Sequence, residues 1–309
     1  MYWIIAAAVL LVAPLAGLII FAFFRTYHRG KEIPLESLNL SETHYAPYAD
    51  RLLATLKEIK SIPYEPVRVR SFDGLTLGAR YYDFGNEKTV IALHGYRATP
   101  FNNVHAAFKV FRNLGYNVLL VSQRAHFDSG GRIISFGTRE KNDLLSWLDW
   151  LRARTGGKEV ALFGVSMGAA TICLAADRLA EYPEVKFMAL ECGYRTGCDT
   201  IKNGMHKIGA FGRLLAEVSR FSGILFGGFD TGKEQINEKL AKCTVPALFI
   251  HGGADVVVPV AASEEHLKAL ASEKKDLVVV DGAGHAEAFI ADPEKVESAI
   301  RKILGNEDL

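Results

Sequence analysis

Short apolar runs alternate with amphipathic stretches over most of the chain after residue 65. The apolar runs predict strands at Thr89–Leu93, Asn117–Val121, Glu159–Phe163, Lys186–Leu190, Ala247–Ile250 and Leu277–Val280. Between them, apolar residues at helical spacing predict helices at Phe101–Leu114, Arg139–Arg154, Met167–Tyr182, Ala261–Ala271 and Pro293–Leu304. Continuous apolar strands separated by helices indicate an α/β fold, in which helices cover both faces of a parallel sheet.

Two further elements precede this alternation. Val67–Arg70 and Leu77–Tyr82 flank the turn-forming tripeptide Phe72-Asp73-Gly74, and this pattern predicts a β-hairpin. Apolar residues at helical spacing also predict a helix over Tyr45–Lys60. We expect this helix to pack beside the main domain.

The N-terminal stretch from Trp3 to Phe24 contains no charged residue. As a helix it would be about 33 Å long, which is enough to span the hydrocarbon core of a bilayer. A signal peptide would have a basic first segment and a cleavage site with small residues, so we favour an uncleaved anchor. Arg25, Arg29 and Lys31 follow it and place the body in the cytoplasm. The predicted organisation is a transmembrane anchor at 1–24, a juxtamembrane linker and helix at 25–64 and the main domain at 65–309.

Composition excludes some classes of function. In 309 residues, 36 Lys and Arg nearly balance 35 Asp and Glu, so no net positive field attracts nucleic acid. The 4 cysteines are too few for a disulfide scaffold and suit a reducing compartment, although Cys192 and Cys198 could pair in an exported protein. Residues 228–233 lack the spacing of a phosphate-binding loop. No cluster has metal-ligand spacing, and we predict neither a metal nor another cofactor.

The candidate chemistry centres on the G-x-S-x-G pentapeptide at residues 164–168. It follows an apolar strand and precedes a helix, which is the context in which this motif forms a sharp turn. Such a turn presents the Oγ of Ser166 at the C-terminal edge of the sheet. Gly164 and Gly168 are small because strand and helix pass close together there. Asp255 and His285 also follow predicted strands, and active groups of such folds lie at these strand ends.

On these motifs the chain resembles the α/β-hydrolase superfamily, and within it the group of serine aminopeptidases and monoacylglycerol lipase-like enzymes. The shared motifs are H-G-Y at 94–96, R-x-H-x-x-S-x-G at 124–131, G-V-S-M-G at 164–168, H-G-x-x-D-x-x-V-P at 251–259 and G-x-G-H at 282–285. The resemblance implies an α/β-hydrolase fold with a mostly parallel eight-stranded sheet. It also implies a small helical cap, formed by the insertion at about 192–244.

The resemblance assigns a role to each candidate site residue. Ser166 would be the nucleophile, His285 the base that takes its proton and Asp255 the carboxylate that orients the imidazole. The backbone N–H groups of Tyr96 and Met167 would stabilise the tetrahedral oxyanion.

Other residues compete for these roles. Glu191, at the end of another strand, is the rival to Asp255, because some hydrolases carry the acid there. Histidines 94, 126 and 251 fit better as structural residues that hold loops. Asp281 fits a turn, and Cys192 is not placed on a sharp turn that would make it a nucleophile.

The predicted function is that of a membrane-anchored serine hydrolase that cleaves a carboxylic ester through an acyl-enzyme. Its partners would be a small acyl-ester or lipid-like substrate and, through the N-terminal helix, the membrane. The apolar segment 208–229 of the cap could pack on the domain, line an acyl pocket or touch the bilayer. Aminopeptidase or thioesterase activity on the same residues and a catalytically silent, tethered binding protein are the alternatives. The oligomeric state is left open.

Overall fold

The centre of the protein is a single eight-stranded sheet. The computed structural model describes residues 2–31, 45–205 and 208–305, without the side chains of residues 3–11, 102 and 103; most of the predicted linker lies outside the described residues. The strands are β1 (Glu65–Arg70), β2 (Thr76–Tyr82), β3 (Lys88–Leu93), β4 (Tyr116–Val121), β5 (Glu159–Val165), β6 (Val185–Glu191), β7 (Ala247–Gly252) and β8 (Lys275–Val280). Their order is β1-β2-β4-β3-β5-β6-β7-β8. Only β2 runs antiparallel to its neighbours, so the predicted mostly parallel eight-stranded sheet is confirmed.

Helices cover both faces of this sheet. They are α1 (Tyr2–Tyr27), α2 (Ala49–Ser61), α3 (Pro100–Asn113), α4 (Glu140–Thr155), α5 (Met167–Ala175), α6 (Gly197–Gly204), α7 (Gly209–Ser222), α8 (Ile236–Leu240), α9 (Ala261–Ala269), α10 (Ala288–Ala291) and α11 (Pro293–Leu304). Successive residues of β3 enter different hydrophobic clusters: Ile91 packs in the cluster that includes α4 and α5, and Val90 in the one that includes α3 and α11. Burial on both faces explains why the strands are continuous apolar runs.

Helix α5 is shorter than predicted. It ends at Ala175, and the chain continues as a tighter 3-10 helix at Ala176–Glu181. In this segment Leu179 is buried, and Asp177 forms an ion pair with Lys239 at 2.7 Å.

The insertion between β6 and β7 contains α6, α7, a π-helical turn at Gly223–Gly227 and α8. This is the segment that we predicted to form a cap. Ala216 and Ser219 of α7 are buried, whereas Phe211 and Leu214 are exposed. Helix α7 therefore packs on the protein with one face only.

The end of helix α1 is packed against the domain. Phe23 and Tyr27 are buried, and the Tyr27 ring lies edge-on to Phe136 at 5.9 Å and to Phe229 at 5.1 Å. The Thr26 hydroxyl donates a hydrogen bond to the Ser219 hydroxyl of α7 at 3.1 Å. These apolar side chains are thus buried by protein.

Within the described residues, no helix is both long and apolar enough to cross a membrane. This finding contradicts the prediction of a single-pass anchor at 1–24 with a cytoplasmic catalytic domain, and it leaves the predicted membrane association through this helix unsupported. Arg29, which follows the helix, donates hydrogen bonds to the backbone carbonyls of Phe127 and Ser129.

We expect Tyr27→Ala to lower the free energy of unfolding by about 3–5 kcal/mol, because it empties a fully buried aromatic site. Phe21→Ala on the same helix is the matched control, since Phe21 is 65% exposed and its loss should cost under about 0.5 kcal/mol. Urea denaturation of both variants measures the difference. Equal stabilities would contradict the packing of α1 on the domain.

Candidate active site

Ser166 lies on a strained turn between β5 and α5. Its φ is 52° and its ψ is −110°, a conformation that non-glycine residues rarely adopt. A Cβ at position 164 would lie 2.5 Å from the Ala169 nitrogen, and one at position 168 would lie 2.2 Å from the Leu93 carbonyl oxygen. The predicted close approach of helix and strand is confirmed, and only glycine fits at either position.

The structure brings the three side chains predicted to act together into one hydrogen-bonded chain. The Ser166 Oγ lies 3.0 Å from Nε2 of His285. The Nδ1 of His285 lies 2.7 Å from Oδ2 of Asp255. Since Asp255 Oδ2 accepts the Nδ1 proton, the neutral imidazole has a lone pair on Nε2 that faces the serine hydroxyl.

The side chain of Asp255 is fully buried, and both oxygens of its carboxylate have hydrogen-bond partners. Its Oδ1 accepts hydrogen bonds from the backbone N–H groups of Val257 and Val258, both at 2.8 Å. Its Oδ2 also lies 3.3 Å from Nε2 of His251. Burial raises the pKa of Asp255, but the hydrogen bonds from His251 and His285 outweigh it and hold the pKa well below its usual value. Asp255 is therefore a carboxylate at neutral pH.

Glu191, the rival carboxyl, is held in a different environment. It is fully buried below the turn, and its Oε1 accepts a hydrogen bond from the backbone N–H of Ala288 at 2.9 Å. Burial raises its pKa to about 8. The group is therefore mostly protonated at neutral pH, and it is Asp255 that contacts the imidazole of His285.

The three histidines predicted to hold loops do so. His94 donates from Nδ1 to the Gly95 carbonyl at 2.8 Å and accepts at Nε2 from the Gln123 backbone. His126 accepts at Nε2 from the Arg97 backbone N–H at 2.9 Å. Burial lowers the pKa of His94 to about 4 and that of His126 well below its usual value, so both rings are neutral acceptors. His251 contacts Ser263 and Val258 from its two ring nitrogens.

Of the two residues predicted to donate to an oxyanion, Met167 follows Ser166 in the chain and Tyr96 lines the same cavity. Met167 is the first residue of α5, and the first amides of a helix have no partner within it. Tyr96 follows β3 and lines the same cavity as Ser166. Its hydroxyl donates to the Thr26 carbonyl at 2.7 Å, and its ring stacks on Phe136 at 4.9 Å. The assignment of these N–H groups to an oxyanion stays a prediction.

A cavity of about 510 Å³ opens over Ser166 and His285. Its volume is within the range of small-molecule sites. Much of its wall is apolar or aromatic and includes Phe136, Tyr194, Ile201, Met205 and Val257. Arg25, Thr26 and Tyr45 also line it. Sequence reasoning missed this N-terminal contribution, because these residues were assigned to an anchor flank and an outer helix.

Cys192 adjoins the site without joining the chain of hydrogen bonds from Ser166 to Asp255. The Cys192 Sγ lies 4.0 Å from Nε2 of His285. The possible ligand atoms of Cys192, Asp255 and His285 all lie within 4.8 Å of one another, a spacing at which they could hold one metal ion. Burial raises the pKa of the Cys192 thiol well above its usual value, so it is protonated and a poor ligand. All four cysteines are free thiols, so Cys192 and Cys198 are not paired.

The sheet order, the strained turn and the three side chains at strand ends define an α/β-hydrolase. The family model described as X-Pro dipeptidyl-peptidase (S15 family) matches residues 44–217, and the one described as serine aminopeptidase, S33, matches residues 224–289. The first match covers more than half of the chain, so the chain belongs to the X-Pro dipeptidyl-peptidase (S15) family.

Relatives and solved structures agree with this class. The uncharacterized protein YqkD of Bacillus subtilis is 27% identical over 223 residues, 71% of each chain. The esterase Pf2001 of Pyrococcus furiosus has a TM-score of 0.64 and 27% identity over 80% of this chain and 94% of its own. Est1E of Butyrivibrio proteoclasticus, at 18% identity and a TM-score of 0.61 over 78% of this chain and 98% of its own, has the same fold. The protein is a hydrolase.

We expect Glu191→Gln to stabilise the protein progressively as the pH rises. Below about pH 4.5 the Glu191 carboxyl is protonated in both the folded and the unfolded protein. In this range the substitution therefore gains no stability from removing an ionisable group. Between about pH 4.5 and the folded-state pKa of about 8, only the unfolded wild type ionises, which destabilises the wild-type fold by up to about 1.4 kcal/mol per pH unit. Urea denaturation from pH 4 to 9 measures the difference. A constant difference would show that Glu191 is ionised in the fold.

Proposed function

We propose that the protein is a serine hydrolase that cleaves a carboxylic ester through an acyl-enzyme intermediate. The observation that carries this proposal is the hydrogen-bonded chain from Ser166 through His285 to Asp255 at the base of a largely apolar cavity. The family membership supports a hydrolase, and the similarity to the esterase Pf2001 supports an ester as the substrate.

The geometry supports a two-step reaction. The Ser166 Oγ attacks the ester carbonyl carbon while Nε2 of His285 takes its proton. The tetrahedral oxyanion would be stabilised by the N–H groups of Tyr96 and Met167. When it collapses, the bond from carbon to the alcohol oxygen breaks, and His285 returns the proton to the leaving alcohol. Water then attacks the acyl-serine with His285 again as the base, which releases the acid and regenerates Ser166.

A peptidase is the second candidate, because both matching family models are named for peptidases. Aminopeptidase and dipeptidyl-peptidase substrates carry a free ammonium group near the scissile bond, and a carboxylate would be expected to bind it. Among the described residues lining the cavity there are two arginines, Arg25 and Arg97, and no Asp or Glu. This charge would repel an ammonium group, so we favour an ester. A thioester would suit the same acyl-enzyme route.

The first test is covalent labelling combined with kinetics. A fluorophosphonate should label the wild type and not Ser166→Ala. Asp255→Asn should lower kcat on p-nitrophenyl butyrate by about 10⁴-fold, because His285 would lose the partner that sets its tautomer. Glu191→Gln is the matched control at another strand end and should keep most of the activity. Unlabelled folded wild type would refute the proposed mechanism and favour a catalytically silent binding protein.

The second test concerns the acyl group. Each methylene buried in the apolar cavity contributes about 0.8 kcal/mol, so kcat/KM for p-nitrophenyl esters should rise about fourfold per methylene until the cavity is filled. Aminoacyl p-nitroanilides serve as the comparison. A flat chain-length profile together with faster cleavage of the anilides would favour the peptidase.

A further inference from the structure

Two positively charged side chains line the cavity above Ser166, and they come from distant parts of the chain. Arg25 lies in the last turn of α1, and Arg97 lies in the loop after β3. The described residues of the cavity wall include no carboxylate that would neutralise either of them. The wall of the cavity is therefore positively charged, and it would attract a negatively charged ligand.

Arg97 already has a structural role. Its Nη2 donates to the backbone carbonyls of Arg25 at 2.8 Å and His28 at 3.2 Å, and its guanidinium lies over the Tyr96 ring. A cation at these carbonyls stabilises the C-terminal end of helix α1. This contact also connects α1 to the loop that carries Tyr96.

Arg25 has no such role. In the described part of the chain, no hydrogen bond or ion pair uses its guanidinium, although its own carbonyl accepts from Arg97. Arg25 is exposed and borders the cavity, so its side chain can reach a bound molecule without first breaking a protein contact. Its field also extends into the site. Burial raises the pKa of the Tyr96 hydroxyl, while the charges of Arg97 and Arg25 act to lower it.

We propose that Arg25 recognises a carboxylate on the substrate, so that the protein prefers acidic esters over neutral ones. This inference rests on the proposed ester hydrolysis at Ser166. A guanidinium matches a carboxylate because its fork of N–H groups can donate two parallel hydrogen bonds. The rest of the acyl chain would pack on the apolar wall of the cavity. The proposed acidic group belongs to the acyl part of the ester.

The experiment compares two p-nitrophenyl esters of the same diacid, p-nitrophenyl hydrogen suberate and its neutral methyl ester. The quantity measured is the ratio of their kcat/KM values, in which general losses of activity cancel. Wild type should favour the acidic ester by about tenfold or more, because a hydrogen bond between charged groups is worth about that much. Arg25→Gln should bring the ratio near one, and 1 M salt should lower it in the wild type.

Two variants sharpen the result. Arg25→Lys should keep part of the preference for the acidic ester, since lysine keeps the positive charge but lacks the planar pair of N–H donors of a guanidinium. Arg213→Gln is the matched control, because Arg213 is an exposed arginine of α7 outside the cavity lining, and it should keep the wild-type ratio. Ser166→Ala gives the background rate.

The outcomes separate the two proposals. A wild-type ratio near one, with Ser166-dependent cleavage of both esters, would overturn the role of Arg25 and leave the ester hydrolase intact. An acidic preference that survives in Arg25→Gln would also overturn it. No Ser166-dependent cleavage of either ester would overturn the proposed function itself.

Discussion

The site depends on how closely helix α5 approaches strands β3 and β5. At position 168 the helix lies so near the Leu93 carbonyl that a single added carbon would be 2.2 Å from it. This close approach allows only a tight turn between β5 and α5, and Ser166 adopts the positive φ that such a turn requires. The same turn places the serine Oγ 3.0 Å from Nε2 of His285, and helix α5 begins at the next residue, Met167. The close approach of helix and strand therefore fixes where the serine hydroxyl lies.

Much of the fold and the identity of the three central side chains could be predicted from the sequence. Buried parallel strands leave continuous apolar runs, and residues after such strands must meet at one edge of the sheet. The preference for Asp255 over Glu191 could not be derived in this way, because both follow strands. The preference depends on the hydrogen-bond donors that surround each carboxyl group in the folded protein. Asp255 accepts from two amides and two imidazoles, whereas Glu191 is buried with fewer compensating donors and is protonated.

The end of helix α1 shows where hydrophobic patterning fails. An apolar helix has the same sequence signature whether lipid or protein covers it, and the length of this run, its lack of charge and the absence of signal-peptide features led to the prediction of an anchor. In the structure Tyr27 packs against Phe136 and Phe229, and Phe23 packs against Phe226, all of which lie more than a hundred residues away in the chain. Such a contact has no local signal in the sequence. The same packing places Arg25 and Thr26 at the cavity, and so explains why the N-terminal contribution to the site was missed.

The charges around the site follow from the same packing. His94 and His126 are buried as neutral acceptors, and Glu191 is buried as a neutral acid. Among the described residues, Asp255 is the one carboxylate bonded to the imidazole of His285, and its charge is already satisfied by donors. No carboxylate among the described residues of the cavity wall balances the charges of Arg25 and Arg97. A negatively charged group on a bound ligand would therefore meet a positive field at this wall.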